Sequence, residues 1–407
     1  MSASDALSSL VSPEALMPSD DFLAGAEVEG NLTAVVQPAS TVEVAAVMSW
    51  AAREGVGVLP TCSGERAPHV PSQRPYAVLS TKRLAGMELY EAGDLTLTAK
   101  AGTPLTVVDE AVREARQWAP FDPPHRDRRS IGGLVSCGES GPLWMGYGEL
   151  RNHVLGMTVV TGDGRVLRLG GRVVKNVAGF DLLKPMVGSR GSLAVVTSVC
   201  LRVFPEPEVD RVLAFRAETL DSLVRAAQAV GTASVLPVSS VLIGRTEIFG
   251  DAALIVRLHG APQTVDADQL VLENHLGVAF ETLSDPGPVL ACVSDHGADA
   301  PVVLSATTRP STLPELVATL EALGPLALVI DSYAARARVG LGELDLAAIR
   351  GARESIERLG GAMSVSRSPA AASVEGFGST RRAAELELTN RLQKTFDPAG
   401  VLWPARG

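Results

Sequence analysis

The chain has 407 residues, 46% hydrophobic and 20% charged, with a formal net charge of −10. That make-up belongs to a globular protein with room for two or three domains, and its acidic balance excludes a generalised nucleic-acid surface, which needs clustered positive charge. The four cysteines, Cys62, Cys137, Cys200 and Cys292, lie far apart with no CxxC pair, so no metal site is expected and an iron–sulfur cluster would need a partner chain.

The N-terminal stretch MSASDALSSLVSPEAL carries no basic segment and no long apolar run. No segment reaches the roughly 20 apolar residues of a membrane span. The expectation is a cytoplasmic protein without a direct membrane span. Residues 35–60 then predict a strand, a helix and a strand. Ser40 and Glu43 form a capping box, TVEVAAVMSWAARE carries a helical apolar stripe, and Gly55 ends it. GVGVLP is a short buried strand, and the loop TCSGERAPHVP after it sits where ligand-binding backbone is commonly found.

YAVLST and LTLTAKAG predict strands, the second by its period of two. Thr103 as N-cap with Pro104 in the first helical position starts a helix through LTVVDEAVREARQ. The prolines of PFDPPH impose an extended path. RSIGGLVSCGESGP follows, poor in side chains. Each glycine there costs roughly 0.5–1 kcal/mol of ordering entropy relative to alanine, which points to a backbone that must lie close against something. HVLGMTVVTGDGRVLRLGG reads as a hairpin turning at Gly162-Asp163-Gly164. FDLLKPMVG is a short turn of helix, and SLAVVTSVCLRVFP is a buried strand ending at Pro205.

PEPEVD, residues 205–210, marks a boundary. Beyond it, strands and helices alternate: RVLAFRA, TLDSLVRAAQAV, SSVLIG and AALIVRLHG, then PVVLSATT, TLPELVATLEAL, PLALVID, LAAIRGARESIERL and GAMSVSR. The rhythm predicts an antiparallel sheet with helices on one face, without a precise internal sequence repeat. A helix over STRRAAELELTNRLQKTFD, capped by Ser379, and the tail PAGVLWPARG close the chain.

The glycine-rich stretch matches neither of two common phosphate cradles. No GxxxxGK[ST] segment exists, and GYGELR lacks the third glycine of a dinucleotide fingerprint. What remains is a flat cofactor with a pyrophosphate, gripped by two separate small-residue loops, TCSGER (61–66) and SIGGLVSCG (130–138).

SIGGLVSCGESGP, YGELRNHVLGMTVVTGDGRVLRLGG, KNVAGFD and GSRGSLAVVTSVCLRVFP resemble the FAD-binding subunit of bacterial glycolate oxidase, within the vanillyl-alcohol oxidase and para-cresol methylhydroxylase flavoprotein superfamily. The resemblance is dense from about residue 102 to 205, looser over 35–75 and in the tail, and beyond 206 rests on element order. It implies an α+β fold. A two-subdomain FAD-binding domain of the para-cresol methylhydroxylase type would occupy residues 1–205. A cap domain with an antiparallel sheet would occupy 206–370, and a C-terminal helix and tail, 371–407, would return to the first domain. FAD would be held by Thr61, Cys62, Ser63, Gly64, Glu65 and Arg66, by Ser130, Ile131, Gly132, Gly133, Ser136, Cys137 and Gly141, and by Ser192, Leu193 and Val195. The implied activity is oxidation of a small 2-hydroxy acid, glycolate to glyoxylate, beside a second flavoprotein subunit and an iron–sulfur subunit. No catalytic residue is assigned.

The sequence departs from that family at several points. Cys62-Ser63-Gly64 stands where the family has three glycines, Asn152 replaces an acid, and Trp403 precedes the terminal Pro404 in place of an asparagine. A β-carbon at Cys62 or Ser63 disfavours positive φ. The alternative is therefore a scaffold subunit of the same fold that has lost FAD. His125, His69 and the run Arg126, Arg128 and Arg129 read as structural or solvent-facing groups, and Cys137 as a packing residue.

Overall fold

The computed structural model describes residues 3–18, 31–62, 74–171, 181–368 and 383–402. The N-terminal part builds two sheets. Strands β1 (Leu16–Met17), β2 (Leu32–Val36), β3 (Gly57–Thr61) and β4 (Tyr76–Ser80) make the first, in the order β1-β2-β4-β3, with β4 parallel to both β2 and β3. Helix α2 (Thr41–Glu54) crosses from β2 to β3, its buried face being Val44, Val47, Met48, Trp50 and Ala51; a short helix α1 (Ala3–Ser8) precedes the sheet. The Ser40 hydroxyl accepts from the Glu43 amide at 3.2 Å. Glu43 reaches past the reciprocal bond of a capping box and accepts from the amides of Ala39 and Ser12 instead. Gly55, at φ 69°, supplies the left-handed residue that ends the helix.

The second sheet is antiparallel: β5 (Met87–Glu91), β6 (Thr96–Lys100), β8 (Val154–Thr161), β9 (Val166–Gly170) and β10 (Ala194–Arg202), in the order β5-β6-β10-β8-β9. Helix α3 (Leu105–Arg113) packs on it through Leu105, Val108 and Val112. Its N-cap is Pro104, one residue later than expected, because the Thr103 hydroxyl is committed to the backbone of Gly86 at 2.9 and 3.1 Å. A short helix, α6 (Leu183–Met186), precedes β10, and the short pair β7 (Gln117–Trp118) and β11 (Phe204–Pro205) leads out of this unit.

The third sheet has eight strands: β12 (Val209–Arg216), β13 (Ser239–Ile243), β14 (Ala253–Gly260), β15 (Glu281–Thr282), β16 (Val302–Thr307), β17 (Ala327–Asp331), β18 (Arg336–Leu341) and β19 (Ala362–Arg367). Their order is β15-β12-β14-β13-β17-β18-β16-β19, every pair antiparallel. This is one βαββαβ unit, with strands in the order 4-1-3-2, laid beside a second in the mirrored order 2-3-1-4. The connecting helices in the first half are α7 (Leu220–Val230) and α8 (Pro262–Leu276), and in the second α10 (Leu313–Glu321) and α11 (Leu346–Arg358). All four bury their apolar stripes in one core with Leu213, Leu254, Val256, Leu304 and Val339. Helix α9 (Gly287–Asp295) breaks the one-face expectation. It covers the opposite face, with Val289 and Val293 against Val212, Val241, Ile255 and Val329.

Helix α12 (Ala383–Phe396) leans on the second sheet through Leu392 and Phe396. The chain then pairs Leu402 in parallel with Val58 at the edge of the first sheet. Asp397 holds that turn by accepting from the amides of Val401 and Leu402 at 2.9 and 2.7 Å. Among the described residues no helix is long and apolar enough to cross a membrane.

Candidate functional site

The first two sheets meet through side chains, with Val160 and Val195 of the second entering the core of the first, and through a line of close backbone contacts. At the end of β3 the Thr61 carbonyl accepts from the Thr81 amide at 2.8 Å, and the Cys62 carbonyl accepts from the Ser80 hydroxyl at 2.6 Å. The turn after β6 lies directly on this segment: a β-carbon at Gly102 would stand 2.0 Å from the Thr81 carbonyl oxygen, so only glycine fits. Ala101 in turn accepts from the Gly132 amide at 2.7 Å. Farther on, the Arg190 amide donates to Ser136 at 2.8 Å, and Gly191, at φ 78°, comes within 3.2 Å of the Pro60 ring measured from an added β-carbon. The neighbourhoods of 61–62, 130–138 and 188–195, remote in sequence, thus form one continuous seam.

The glycine-rich stretch is not the bare ribbon that its composition suggests. Residues Ile131–Cys137 form a helix, α4, capped by Ser130. The Ile131 amide donates to Thr103, that of Gly132 to Ala101, that of Gly133 to the Ser130 hydroxyl and that of Leu134 to the Ser130 carbonyl. The first four donors are therefore committed within the protein and are not offered to phosphate. The two glycines have separate reasons. A β-carbon at Gly132 would meet the Ala101 methyl at 2.6 Å, whereas at Gly133 its only near neighbour would be the Ser130 hydroxyl at 3.2 Å. Gly132 is demanded by packing, and the flank at Gly133 is open.

The other expected residues divide in the same way. Ile131 and Leu193 are buried in the core of the second sheet. Val195 enters the core of the first sheet, beside Val58, Val160 and Leu402. Ser192 donates to the Ser189 carbonyl at 2.7 Å. Gly141, at φ 74°, is closed off by Asp122, whose carbonyl and carboxylate oxygens would each lie 2.2 Å from an added β-carbon. Ser136 and Cys137 are half-buried beside the open flank. Ser63, Gly64, Glu65 and Arg66 lie outside the described residues, as do His69, Lys175, Asn176, Ser379 and Trp403.

The basic run after the prolines is bound within the protein. Arg126 clamps Asp109 and donates to the Phe121 carbonyl, and Arg129 pairs with Glu139 at 2.5 Å. His125, at φ 53°, turns toward the end of α9: its amide donates to Asp295 at 2.7 Å and its Nε2 lies 3.1 Å from Asp299. Arg128 faces Asp299 too, at 3.7 Å.

Sequence reasoning missed a second cluster, where the short helix α5 (Trp144–Tyr147) meets the eight-stranded sheet. The Tyr147 hydroxyl is 2.8 Å from His259 Nδ1, His259 Nε2 is 3.0 Å from Asp210, and Arg257 donates to both oxygens of Asp210. Trp118 stands edge-on to Tyr147 at 5.3 Å. Burial pushes the Tyr147 phenol up to about 12, so it stays protonated. The Asp210 carboxyl is held well below the usual range: burial raises it, but hydrogen bonds and charge from Arg257 and His259 outweigh that. Trp144 donates to Asp331, and Arg336 stacks on Trp144 while pairing with Glu149 at 2.7 Å. Tyr147 and His259 are 112 positions apart, and no spacing rule joins a tyrosine in one domain to a histidine in another.

Comparison with known proteins bears on the first seam. Residues 32–170 match a family model described as an FAD binding domain. The chain carries an FAD-binding domain. Glycolate oxidase subunit GlcE of Escherichia coli (strain K12) is 37% identical over 188 residues, covering 46% of this chain and 51% of that protein. A D-2-hydroxyglutarate dehydrogenase of Xanthomonas citri pv. viticola is 36% identical over 198 residues, covering 48% and 42%. The chain thus spans about half the length of the curated relatives it matches. The fold of the whole chain is that of p-cresol methylhydroxylase, with a TM-score of 0.77 at 15% identity, covering 99% of this chain and 95% of that one.

The seam is closed by direct contacts along most of its length and is open at one position. Backbone approaches backbone along it, Gly133 leaves one flank free of side chain, and the Ser136 hydroxyl beside it has no partner among the described residues. The amides at the start of α4 are already bonded, so a cofactor held here would rest against the open flank at Gly133 and not on those donors.

Proposed function

We propose that this chain is the FAD-binding subunit of a 2-hydroxy-acid oxidoreductase of the glycolate oxidase type, taking glycolate to glyoxylate beside a second flavoprotein subunit and an iron–sulfur subunit. The observation that carries the reading is the seam itself, with its open flank at Gly133, inside the FAD-binding domain. FAD supplies the two-electron acceptor for the carbon that bears the hydroxyl. The chain's part is to bind and orient it. Thr61 through Arg66, Ser130 through Gly133, Ser136, Cys137 and Gly141, and Ser192, Leu193 and Val195 are the residues proposed to surround it, with Gly133, Ser136 and Cys137 on the open flank. Residues 1–205 form the proposed FAD-binding domain, 206–370 the cap that shields the reacting face from water, and 371–407 the returning helix and tail. The separated cysteines assign any iron–sulfur cluster to a partner, and the identity to GlcE supports such an assembly.

The test is the visible spectrum of the purified chain, alone and with its partners, in wild type and in Gly133→Ala. A near-stoichiometric flavin spectrum, reduced in Gly133→Ala while the far-ultraviolet circular dichroism stays the same, is the expected result. Equal flavin content in both proteins would remove the open flank from the site. A second reading has an observation of its own: with the amides of 131–134 bonded internally and Cys62 at the start of the first loop, the cradle is weaker than a three-glycine one. On that reading the chain is a scaffold that has lost FAD, and it would be colourless yet still assemble.

A further inference from the structure

The cap meets the FAD-binding domain in two contact regions of opposite character. The first surrounds the crossover from β11 to β12, which Phe204 and Asp210 flank. Phe204 stands edge-on to Tyr147 at 5.1 Å, and Asp210 holds Arg257 and His259. Beside them the Gly146 amide donates to the Val238 carbonyl at 3.1 Å, and a β-carbon at Gly146 would stand 2.5 Å from the Val238 side chain. The side chains of His259 and Arg257 are 5% and 10% exposed, so this region is tight and shielded from water.

The second region is ionic. The His125 amide donates to Asp295 at 2.7 Å, His125 Nε2 lies 3.1 Å from Asp299, and Arg128 faces Asp299 at 3.7 Å. The side chains of Asp295, Asp299 and Arg128 are 42%, 66% and 45% exposed. Each side of this contact is tied to its own domain. In the cap, Arg338 donates to the carbonyls of Val293, Ser294 and His296 and so fixes the end of α9, and Arg367 pairs with Asp299 at 3.3 Å. In the FAD-binding domain, Arg126 donates to the Phe121 carbonyl at 2.7 Å, and Arg129 joins the Pro124 carbonyl to Glu139, just past the end of α4. Exposed ion pairs contribute little and are screened by salt. His125 also sits at φ 53°, a left-handed conformation that persists where its surroundings hold it, and here the hold includes Asp295 across the interface.

Local opening follows the weakest contacts. We propose that the strip from His125 to Arg128 and the segment from Asp295 to Asp299 form a latch, which opens while the contact around α5 stays closed. The end of α9 then lifts from the strip that leads into α4. The latch thereby governs entry and release of the cofactor at the Gly133 flank, a consequence that rests on the FAD-binding reading.

Hydrogen–deuterium exchange of the full chain tests the latch without reference to flavin. The variant is Asp295→Ala with Asp299→Ala, two exposed changes in the cap, and the readout lies across the interface in residues 122–130. Exchange there is expected to be about tenfold faster in the variant, while residues 144–150 and 253–260 stay within about twofold of wild type. Wild type moved from about 0.05 M to about 0.5 M sodium chloride is expected to show the same regional pattern, which keeps the test open should the variant fold poorly. In the loaded chain, release of FAD is expected to be about tenfold faster in the variant. Unchanged exchange at 122–130, or equal acceleration in both regions, overturns the latch; unchanged FAD release overturns its role in access. A chain that holds no flavin would defeat the oxidoreductase reading and leave the exchange result to decide the latch.

Discussion

Asp122 offers the sharpest test of the reading given to the interface beside the glycine-rich segment. Its carboxylate accepts one hydrogen bond, from the Leu143 amide at 3.1 Å, and packs against Gly141. Burial pushes the carboxyl from its ordinary 3.8 up to about 7, against the opposing pull of the Leu143 amide and of Arg257 and Arg126. The difference is about three units, and at about 1.36 kcal/mol per unit the charged form costs the folded state at most about 4 kcal/mol. Relaxation around the site lowers that figure. Since the folded pKa is raised, the native protein holds a proton between pH 4 and 7 that the unfolded chain has released. Stability from this group therefore falls as pH rises through that window and levels off above it. Asp122→Asn keeps an acceptor for Leu143 and removes the charge. The expected outcome is a variant as stable as wild type near pH 4 and more stable at pH 8, by about 2–4 °C in Tm for each kcal/mol recovered in a domain of 150–250 residues. Thermal unfolding followed by circular dichroism at several pH values measures it. A gap between variant and wild type that is the same at pH 5 and pH 8, or that shrinks toward pH 8, refutes the assignment of a half-buried Asp122 that stays protonated in the folded protein up to about pH 7.

Three further outcomes follow from close contacts. Gly132→Ala forces a β-carbon to within 2.6 Å of the Ala101 methyl and is expected to destabilise by about 1–3 kcal/mol in urea unfolding, whereas Gly133→Ala costs less than about 1 kcal/mol; equal losses would contradict the separate roles of the pair. Tyr147→Phe, His259→Asn and the double variant form a cycle whose coupling is expected at about 0.5–3 kcal/mol, read from the same unfolding curves, and a coupling near zero would show that the two side chains do not act together. Asp397→Ala leaves the buried amides of Val401 and Leu402 without an acceptor, at about 1–3 kcal/mol, and is expected to make the tail after Phe396 sensitive to carboxypeptidase; a resistant tail would mean that the Val58–Leu402 pairing holds by itself.

What could be read from sequence was what neighbours in the chain decide. Ser40 and Gly55 bound α2 because an N-cap hydroxyl and a left-handed glycine act within one turn. The Gly162-Asp163-Gly164 turn and the alternating strands of the second sheet are equally local. The boundary signal near Pro205 has the same origin, since prolines and acids make poor sheet. Family likeness added the cofactor, which no periodicity shows.

Tertiary contacts decided the rest. RSIGGLVSCGESGP looked like an open ribbon because composition cannot say which amides are already bonded; Thr103 and Ala101, far enough back to be invisible to any turn rule, take the two amides that the first turn of the helix leaves without internal partners. The mirrored halves of the eight-stranded sheet left no repeat in sequence, because each core position asks only for an apolar side chain of suitable size. The Tyr147–His259–Asp210–Arg257 chain exists only once distant elements are brought together. Local sequence chose the helices, strands and turns through interactions spanning a few residues. The sites between them were chosen by packing, whose partners lie well beyond one turn of chain, 47 positions apart for Asp210 and Arg257 and 112 for Tyr147 and His259.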